Sequence, residues 1–572
     1  MGAELVAGWR ERVLRARAHL GWPHETLIAR SHRGGASLAL AAPIDGLLTA
    51  TELNEWALCA TLVAQQPARW QQLEADLAAA ALADAADPAG IILPLLDEQS
   101  AFTRLAQLAA REACPQLRLL MTAAAQRQLP YVLDDELLTL GSGAGGADFA
   151  LAQLPAADTV DWGALHDIPT ALVTGSNGKT TSVRLLAECI QAHGLSTAYC
   201  CTDGVFINGE SLVSGDYSGP LGARTVLRNR AARAAIIETA RGGILRRGIA
   251  VTRAQVALVT NVSADHFGEY GIDDLSGLAD VKLSVAGVLE PRGTLVLNAD
   301  DALLVAKSTE LARRFGVVPA LAWFALDADH ALLQAQRAAG AATCGVRAGR
   351  LILQHGHAAQ HDLGAVHSMP LSIEGSATYN IANLAGAALA AATLGVAAAT
   401  IAAVLGRFGA RAGDNFGRMM RFERAGVRIL VDYAHNPAGL RGLLSVAEHL
   451  RSGRGRLGLL LGHAGNRQDS EIEALAAVAA EFHPALIVIK ENEGHLRGRP
   501  PGEIPAVIHA ALRRAGVEES TMPQRGSELE AVRCALEWAQ PGDVLALPVH
   551  SSAARAAVLA LLSAAAPPAE AS

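Results

Sequence analysis

The spacing of apolar residues changes abruptly near residue 175, and this change marks the most informative stretch of the chain. Thr170–Thr174 is a short apolar run, as in a buried parallel strand. A glycine-rich turn follows, after which apolar residues recur at i, i+3, i+4 and i+7 and predict a helix with one buried face. These residues are Val183, Leu186, Ala187 and Ile190, and Gly194 is expected to end the helix.

The alternation of strand and helix continues in two blocks toward residue 550. The first block predicts strands at 196–200, 234–238, 256–261 and 294–297. A polar segment at 410–415 is interpreted as a hinge. The second block predicts strands at 427–431, 457–461, 485–489 and 544–547, with helices at 470–482, 504–515 and 528–539. This pattern is typical of doubly wound α/β domains with parallel sheets, which bind ligands at the carboxyl ends of their strands.

The first 165 residues predict a smaller region that contains both helices and strands. An arginine-bearing amphipathic helix comes first, followed by a polar turn at 33–36 and a helix at 51–65. Residues 129–146 predict a strand, a turn and a second strand that leads into a glycine loop. Because a lone glycine loop is weak evidence for phosphate binding, we interpret this loop as a linker.

One window resembles a membrane span, because residues 384–406 include no charged side chain. Most of them are alanine, glycine or threonine, so insertion into lipid would be weakly driven. We therefore predict two buried helices that meet at Gly395, and no association with a membrane.

Composition narrows the functional class. A chain of 572 residues is too long for one core, and three or four domains are expected. A net charge of −8 argues against general affinity for nucleic acid. The seven cysteines form no C-x-x-C pair, which favours free thiols in a reducing cytoplasm. Charges interrupt the apolar residues near the start, unlike in a secretory signal.

The turn near residue 175 has the chemistry of a phosphate-binding loop. Its residues 175–181 read GSNGKTT. Gly175 and Gly178 lack a Cβ, so backbone N–H groups can close around a polyphosphate at the start of the helix. Lys179 supplies charge to the β- and γ-phosphates, and the Thr180 hydroxyl is the expected ligand of Mg²⁺.

Polar residues follow the neighbouring predicted strands. Glu238 ends one strand, His266 lies in the loop after the next, and both are expected to join Thr180 at a magnesium site. Lys282 is predicted near the start of a helix. Polar loops at 432–437, 462–467 and 490–503 suit a cleft that closes on ATP and substrate. The histidines at 355, 357, 361 and 367 are interpreted instead as parts of a polar surface loop.

Motifs along residues 166–550 identify a family resemblance. The loop GSNGKTT resembles that of the Mur ligase superfamily, which includes folylpolyglutamate synthetase. A longer set of motifs resembles those of the Mur-ligase-like half of cyanophycin synthetase, and the motifs occur in the same order. It comprises GSNGKTTS, TDGVFINGE, GDYSGP, ETARGGILRRG, NVSADHFG, NADD, YNIANLAGA, GRMMRF, DYAHNP, RGRPPGE and ELEAVRCALEWAQPGD.

The resemblance implies a fold and a set of site residues. It implies an N-terminal α+β domain at 1–165, a central P-loop ATPase domain with a parallel sheet at 166–413, and a Rossmann-like α/β domain at 414–572. It assigns adenine to Asn383 and the rest of the nucleotide to Arg418 and Asp432. Lys282 matches a lysine that is carbamylated in several Mur ligases. The remaining loop residues expected to bind the nucleotide are Ser176, Asn177 and Thr181.

The resemblance also implies an activity, with ATP and Mg²⁺ as cofactors. An arginine-like amino acid would be joined to an aspartyl peptide or polymer through an acyl phosphate. A γ-glutamyl ligase of the folylpolyglutamate type and a non-catalytic accessory subunit are the alternatives. The oligomeric state stays open.

This sequence departs from the family pattern at two places. The ATP-grasp domain of complete cyanophycin synthetases is missing between the N-terminal and Mur-like parts. A pre-made acceptor or a separate enzyme with that domain is therefore expected as a partner, and polymer synthesis from free amino acids is not. Asn466 also stands where the family has an acidic residue.

Overall fold

The computed structural model describes residues 2–22, 26–32, 35–65, 67, 97–265, 267–316, 319–354, 360–451 and 453–563. His266, His355, His357 and the first half of the turn predicted at 33–36 lie outside these residues. The predictions made for them therefore stay predictions.

The N-terminal region packs helices beside two small antiparallel sheets. Its helices are α1 (Gly2–His19), α2 (Leu47–Gln65), α3 (Glu98–Glu112) and α4 (Pro115–Gln126), and its strands are β1 (Leu27–His32), β2 (Gly35–Leu40), β3 (Tyr131–Leu133), β4 (Leu137–Leu140) and β5 (Ala147–Ala150). The predicted first helix is confirmed, as is the order strand, turn, strand at 129–146. The antiparallel pair of β1 and β2 was not predicted. Trp9 and Trp56 are buried in the core between the helices.

An eleven-stranded sheet forms the middle of the molecule. Its strands are β6 (Thr170–Thr174), β7 (Thr197–Cys201), β8 (Gly204–Ile207), β9 (Glu210–Ser214), β10 (Ala234–Glu238), β11 (Ala254–Val259), β12 (Leu289–Asn298), β13 (Ala320–Asp327), β14 (Thr343–Arg347), β15 (Arg350–Gln354) and β16 (Gln360–Ala365). Their order is β16-β15-β14-β13-β12-β11-β6-β10-β7-β8-β9. The seven strands from β14 to β7 are parallel, as predicted. The two outer strands at each edge form antiparallel hairpins, so the sheet is parallel in its middle and mixed at its edges.

Helices cover both faces of this central sheet. They are α5 (Lys179–Ala192), α6 (Pro220–Arg228), α7 (Arg241–Arg247), α8 (Leu275–Leu283), α9 (Ala302–Ser308), α10 (Leu311–Phe315), α11 (Ala331–Ala338), α12 (Thr378–Thr393) and α13 (Ala398–Leu405). Successive strand residues point to opposite faces, so Ala171 and Val173 belong to one core and Leu172 to the other.

Two sequence predictions can be compared with this region. The uncharged window at 384–406 does form two helices, of which α12 is buried and α13 is buried on one face only, and Gly395 turns between them with φ of 89°. Within the described residues, no helix has the length and apolar character needed to cross a bilayer. The predicted histidine loop is wrong for His361, which lies exposed on strand β16, whereas His367 is exposed after that strand.

A six-stranded sheet follows the central one. Its strands are β17 (Met420–Arg424), β18 (Val427–Asp432), β19 (Leu457–Leu461), β20 (Leu486–Lys490), β21 (Gln524–Arg525) and β22 (Val544–Pro548), in the order β17-β18-β22-β19-β20-β21. Its helices are α14 (Pro437–Leu450), α15 (Asp469–Glu481), α16 (Glu503–Arg514), α17 (Glu528–Trp538) and α18 (Ser552–Ser563). All its strands are parallel except β17. The four strands and three helices predicted here are confirmed to within one residue at each end.

Candidate active site

The glycine-rich loop joins strand β6 to helix α5, as the sequence predicts. Ser176 Oγ donates to the carbonyl of Ser263 at 3.0 Å, and the Asn177 amide donates to Asn261 Oδ1 at 3.0 Å. Thr260 Oγ1 donates to the Asn177 carbonyl at 2.6 Å. The end of the neighbouring strand β11 therefore holds the loop in one conformation.

Two glycines are required by the close approach of other atoms. Gly175 and Gly178 have φ of 147° and 83°, in the region that favours glycine. A Cβ at Gly175 would collide with the Thr260 hydroxyl, and one at Gly178 would collide with Asn383 Oδ1. The loop thus closes directly against Asn383, the residue expected near adenine.

Glu238 is buried at the end of strand β10, next to the loop. Its carboxylate accepts from Thr180 Oγ1 at 2.8 Å and from Thr202 Oγ1 at 3.0 Å. Burial raises the pKa of Glu238, and the nearby Lys179 ammonium opposes this shift. Lys179 Nζ donates to the carbonyl of Ser176 at 3.0 Å. The structure thus brings together the predicted Thr180 and Glu238.

Lys282 lies in the last turn of helix α8, so its predicted position near the start of a helix is wrong. The prediction failed because α8 begins seven residues earlier, where Asp274 caps it by accepting from the Gly277 amide. Lys282 is buried, and burial together with the charge of Lys179 lowers its pKa well below the usual value, which Asp265 opposes.

A cleft of about 300 Å³, which we call the nucleotide cleft, lies between the two large sheets. It brings together most of the predicted nucleotide residues. These are Ser176, Asn177, Gly178, Lys179, Thr180, Thr181, Glu238, Asn383, Arg418 and Asp432. The Arg418 guanidinium lies 4.2 Å from the centre of the Tyr433 ring, and Asp432 Oδ2 accepts from the Met419 amide at 2.7 Å.

The sequence analysis missed a buried cluster of charges around Asp203. Its carboxylate lies 3.0 Å from Arg184, 2.9 Å from Arg555 and 3.9 Å from Arg418. These arginines come from helix α5, helix α18 and the segment before strand β17. The motif TDGVFINGE contains Asp203, but Arg555 lies in an alanine-rich helix with no motif to mark it.

A second cleft of about 760 Å³ adjoins the nucleotide cleft, and the two share Thr202, Tyr433 and His435 in their walls. The loops predicted at 462–467 and 490–503 contribute to it through His463, Asn466, Arg467, Asn492, His495 and Arg497. Asn466, at the position where the family pattern is broken, donates to Glu269 Oε1 at 2.9 Å.

The oxygen atoms at the loop suit a hard metal ion. Among the described residues, no three His, Cys, Asp or Glu side chains gather into a metal site. Mg²⁺ characteristically takes only one or two protein ligands and completes its shell with water and phosphate oxygens. Thr180 and Glu238, which lie in contact, fit this requirement.

Comparison with known proteins places the chain in a family. The Mur ligase middle domain matches residues 173–391, and the Mur ligase, glutamate ligase domain matches residues 417–547. Cyanophycin synthetase from Trichormus variabilis is 36% identical over 341 residues, which cover 60% of this chain and 37% of the synthetase. The chain therefore spans about 37% of the length of that relative.

The chain is also similar to proteins other than the cyanophycin synthetases. The UDP-N-acetylmuramoyl-L-alanyl-D-glutamate--2,6-diaminopimelate ligase of Xanthomonas campestris is 30% identical over 385 residues, covering 65% of this chain and 70% of the ligase. The structure of E. coli FolC in complex with DHPP and ADP aligns with a TM-score of 0.49 and 17% identity over 69% of this chain and 89% of FolC. The matched domains and the extent of the Xanthomonas alignment show that the chain belongs to the Mur ligase family.

Proposed function

We propose that this protein is an ATP-dependent ligase that joins the amino group of an amino acid to a carboxylate. The observation that carries the proposal is the contact between Thr180 and Glu238 at the mouth of the glycine loop, beside a second cleft large enough for an organic substrate. A phosphate loop alone would fit many ATPases. The adjoining cleft, with shared walls, favours transfer between two substrates.

The residues of the nucleotide cleft fit ATP and Mg²⁺. The loop closes on Asn383, and Lys179 faces the same cleft. ATP would supply the phosphoryl group that activates the carboxylate, and Mg²⁺ would neutralise its charge. Thr180 and Glu238 would hold the metal, and we propose His266 as a further ligand.

In the proposed reaction, a substrate carboxylate attacks the γ-phosphorus of ATP and gives an acyl phosphate and ADP. The amine then attacks the acyl carbon, loses a proton and displaces inorganic phosphate. Lys179 neutralises charge on the transferred group, and its positive charge contributes to the lowered pKa of the buried Lys282. The wall formed by Thr202, Tyr433 and His435 is where the two substrates would meet.

The similarity to cyanophycin synthetases supports an arginine-like amino acid and an aspartyl acceptor. Under this proposal, residues 166–413 bind ATP, residues 414–572 contribute the far wall of the second cleft, and residues 1–165 bind the acceptor or a partner enzyme. A separate ATP-grasp-containing synthetase is the partner that would supply an aspartyl polymer.

The test is to incubate the protein with ATP, Mg²⁺, short aspartyl peptides and each of a panel of amino acids. Mass spectrometry should detect an acceptor heavier by one amino-acid residue, together with ADP in equal amount. Citrulline, lysine and glutamate report on the choice of amine, and a γ-glutamyl acceptor tests the folylpolyglutamate alternative. ATP hydrolysis without any amide product from the full panel would contradict the proposal.

A further inference from the structure

The hairpin of strands β1 and β2 contacts a loop of the central region, residues 267–272. Arg30 Nη2 donates to the carbonyl of Tyr270 at 2.5 Å. The His32 ring packs so closely on Gly271 that a Cβ there would collide with it. Arg30 and His32 are two positions apart on strand β1 and therefore lie on the same face. The hairpin thus holds the loop through two neighbouring side chains.

The contacted loop has an unusual backbone. Tyr270 has φ of 54° and ψ of 29°, and Gly268 and Gly271 have φ of 82° and 67°. A tyrosine in the left-handed region is uncommon and persists where surrounding contacts fix it. The Tyr270 carbonyl is the atom that accepts from Arg30, so the hairpin contributes directly to this conformation.

The other side of the loop contacts the second cleft through Glu269. Its carboxylate forms an ion pair with Arg241, accepts from Asn466 at 2.9 Å and lies 3.6 Å from Arg467 Nη1. Arg467 is buried and lines the second cleft. The Phe267 amide also donates to Glu471 Oε1 at 3.2 Å. The loop therefore joins the N-terminal hairpin to the wall of the cleft.

We propose that the β1–β2 hairpin is a positioning element of the ligase: Arg30 and His32 fix loop 267–272, and Glu269 on this loop fixes Arg467 in the wall of the second cleft. The inference rests on the proposed function, because it assigns that cleft a substrate. Arg30 is a positioning residue, since it acts through Tyr270 and Glu269 and lies outside the cleft. This contact would couple the N-terminal region to the second cleft, in addition to the hydrogen bonds that strands β3 and β4 accept from helix α6.

Kinetics of Arg30→Ala test the coupling. Substitutions along such a contact chain change function by about 2- to 30-fold. We expect kcat/KM for the amino acid to fall within this range while KM for ATP stays unchanged, because the nucleotide cleft does not include the loop. Arg30→Lys retains a donor and should recover part of the loss. Arg10→Ala, on the exposed face of helix α1, is the matched control and should match the wild type.

A double-variant cycle separates coupling from a general loss of structure. If Arg30 acts through Glu269, then Arg30→Ala should cost little more once Glu269→Gln is present, because interacting sites are not additive. Additive losses, or an Arg30→Ala enzyme that matches Arg10→Ala, would overturn the inference.

Hydrogen exchange provides a readout that does not depend on catalysis. In Arg30→Ala, the amides of 267–272 and 463–471 should exchange faster than in the wild type, whereas those of 175–181 should not change. Faster exchange in a protein that ligates no amine would refute the proposed function and keep the positioning role of the hairpin. Unchanged exchange in a protein that does ligate would refute the hairpin's role alone.

Discussion

A lysine and a buried glutamate lie near the carboxyl ends of strands in both large sheets, and their side chains make different contacts. In the central sheet, Lys179 donates to a loop carbonyl and lines the nucleotide cleft, while Glu238 accepts from two threonine hydroxyls. In the C-terminal sheet, Lys490 is completely buried and forms a direct ion pair with Glu528. The first arrangement leaves its charges facing a cleft, and the second compensates them within the protein.

The difference shows how similar residues come to serve binding or structure. A buried charge requires compensation, and Lys490 receives it from Glu528, with His550 Nδ1 3.3 Å away. Glu528 also accepts from the amides of His550 and Ser551 at 2.9 and 2.8 Å. At Lys179, a phosphate of the bound nucleotide can provide the compensating negative charge. The chain has only four lysines, so each can be tested separately, and the partly buried Lys307, which pairs with Asp280, provides a comparison for both pairs.

The largest expected effect is a loss of stability when the ion pair of Lys490 and Glu528 is broken. Lys490→Met should destabilise the protein by about 3 to 5 kcal/mol, because it leaves the Glu528 carboxylate buried and uncompensated. Thermal unfolding should show a clear fall in melting temperature, and the double variant with Glu528→Gln should regain much of it. A melting temperature equal to that of the wild type would mean that the ion pair contributes nothing.

The next largest effect is a loss of activity when Lys179 is removed from the nucleotide cleft. Lys179→Ala should reduce ATP turnover by about 10² to 10³, which corresponds to about 3 to 4 kcal/mol of lost transition-state stabilisation. Its melting temperature should stay near that of the wild type, because a surface-facing charge stabilises little. ADP release at the wild-type rate would refute the assignment of the loop to ATP.

Removing the proposed metal ligands should have a smaller effect that magnesium can rescue. Glu238→Gln and His266→Ala should each raise the Mg²⁺ concentration needed for half-maximal rate by about 10-fold or more, as even residues that only orient ligands change metal affinity by about 10- to 100-fold. Titration of Mg²⁺ at saturating ATP measures this. Glu188→Gln, on the surface of helix α5, should titrate like the wild type, and identical titrations in all three variants would remove the metal assignment.

The smallest expected effect is a pH dependence of the protein's stability, caused by a histidine that lines the second cleft. Burial and the neighbouring Arg467 lower the pKa of His463 to about 3, from about 6.5 in the unfolded chain. The neutral ring therefore stabilises the fold above pH 6.5, and this contribution is lost as the pH falls toward 3.

The substitution His463→Asn removes this titration and keeps an acceptor for the Ala464 amide, which now donates to His463 Nδ1 at 2.9 Å. At pH 5 the free energy of unfolding of the wild type should have fallen by about 1 to 2 kcal/mol, and the variant should retain this amount. Melting temperatures at pH 7 and pH 5 check this, with the exposed His361→Asn as control. An equal fall in both variants would show that other groups dominate acid sensitivity.

Parts of the fold were predictable because the local pattern determined them. Strands such as β19 and β20 are buried on both faces, so they read as unbroken apolar runs and were located to within one residue. The β1–β2 hairpin was missed because its strands are only half-buried and carry polar residues such as Arg30 and His32. Its position depends on contacts with loop 267–272, which no window of the sequence contains.

The candidate site also contains residues that the sequence predicts and residues that it does not predict. Thr180 and Glu238 were predicted from the phosphate loop and a strand end, and Asn383, Arg418 and Asp432 from the family resemblance. The fold gathers all five at one cleft. The charge cluster at Asp203 has no such signature. Its partners come from distant segments, and only the packing of both sheets brings them within 4 Å.

The ion pair between Asp203 and Arg555 has a consequence for how the protein is made. The two residues are separated by 352 positions, so Asp203 emerges from the ribosome long before its partner. At the about 5 to 20 residues per second at which chains are synthesised, the interval is about 20 to 70 s. During that time the central sheet can fold, yet its acidic group at the cleft is without the arginine from helix α18. A nascent chain should therefore complete the charge cluster of the second cleft only after helix α18 has left the ribosome, which ribosome-stalled chains of increasing length would reveal.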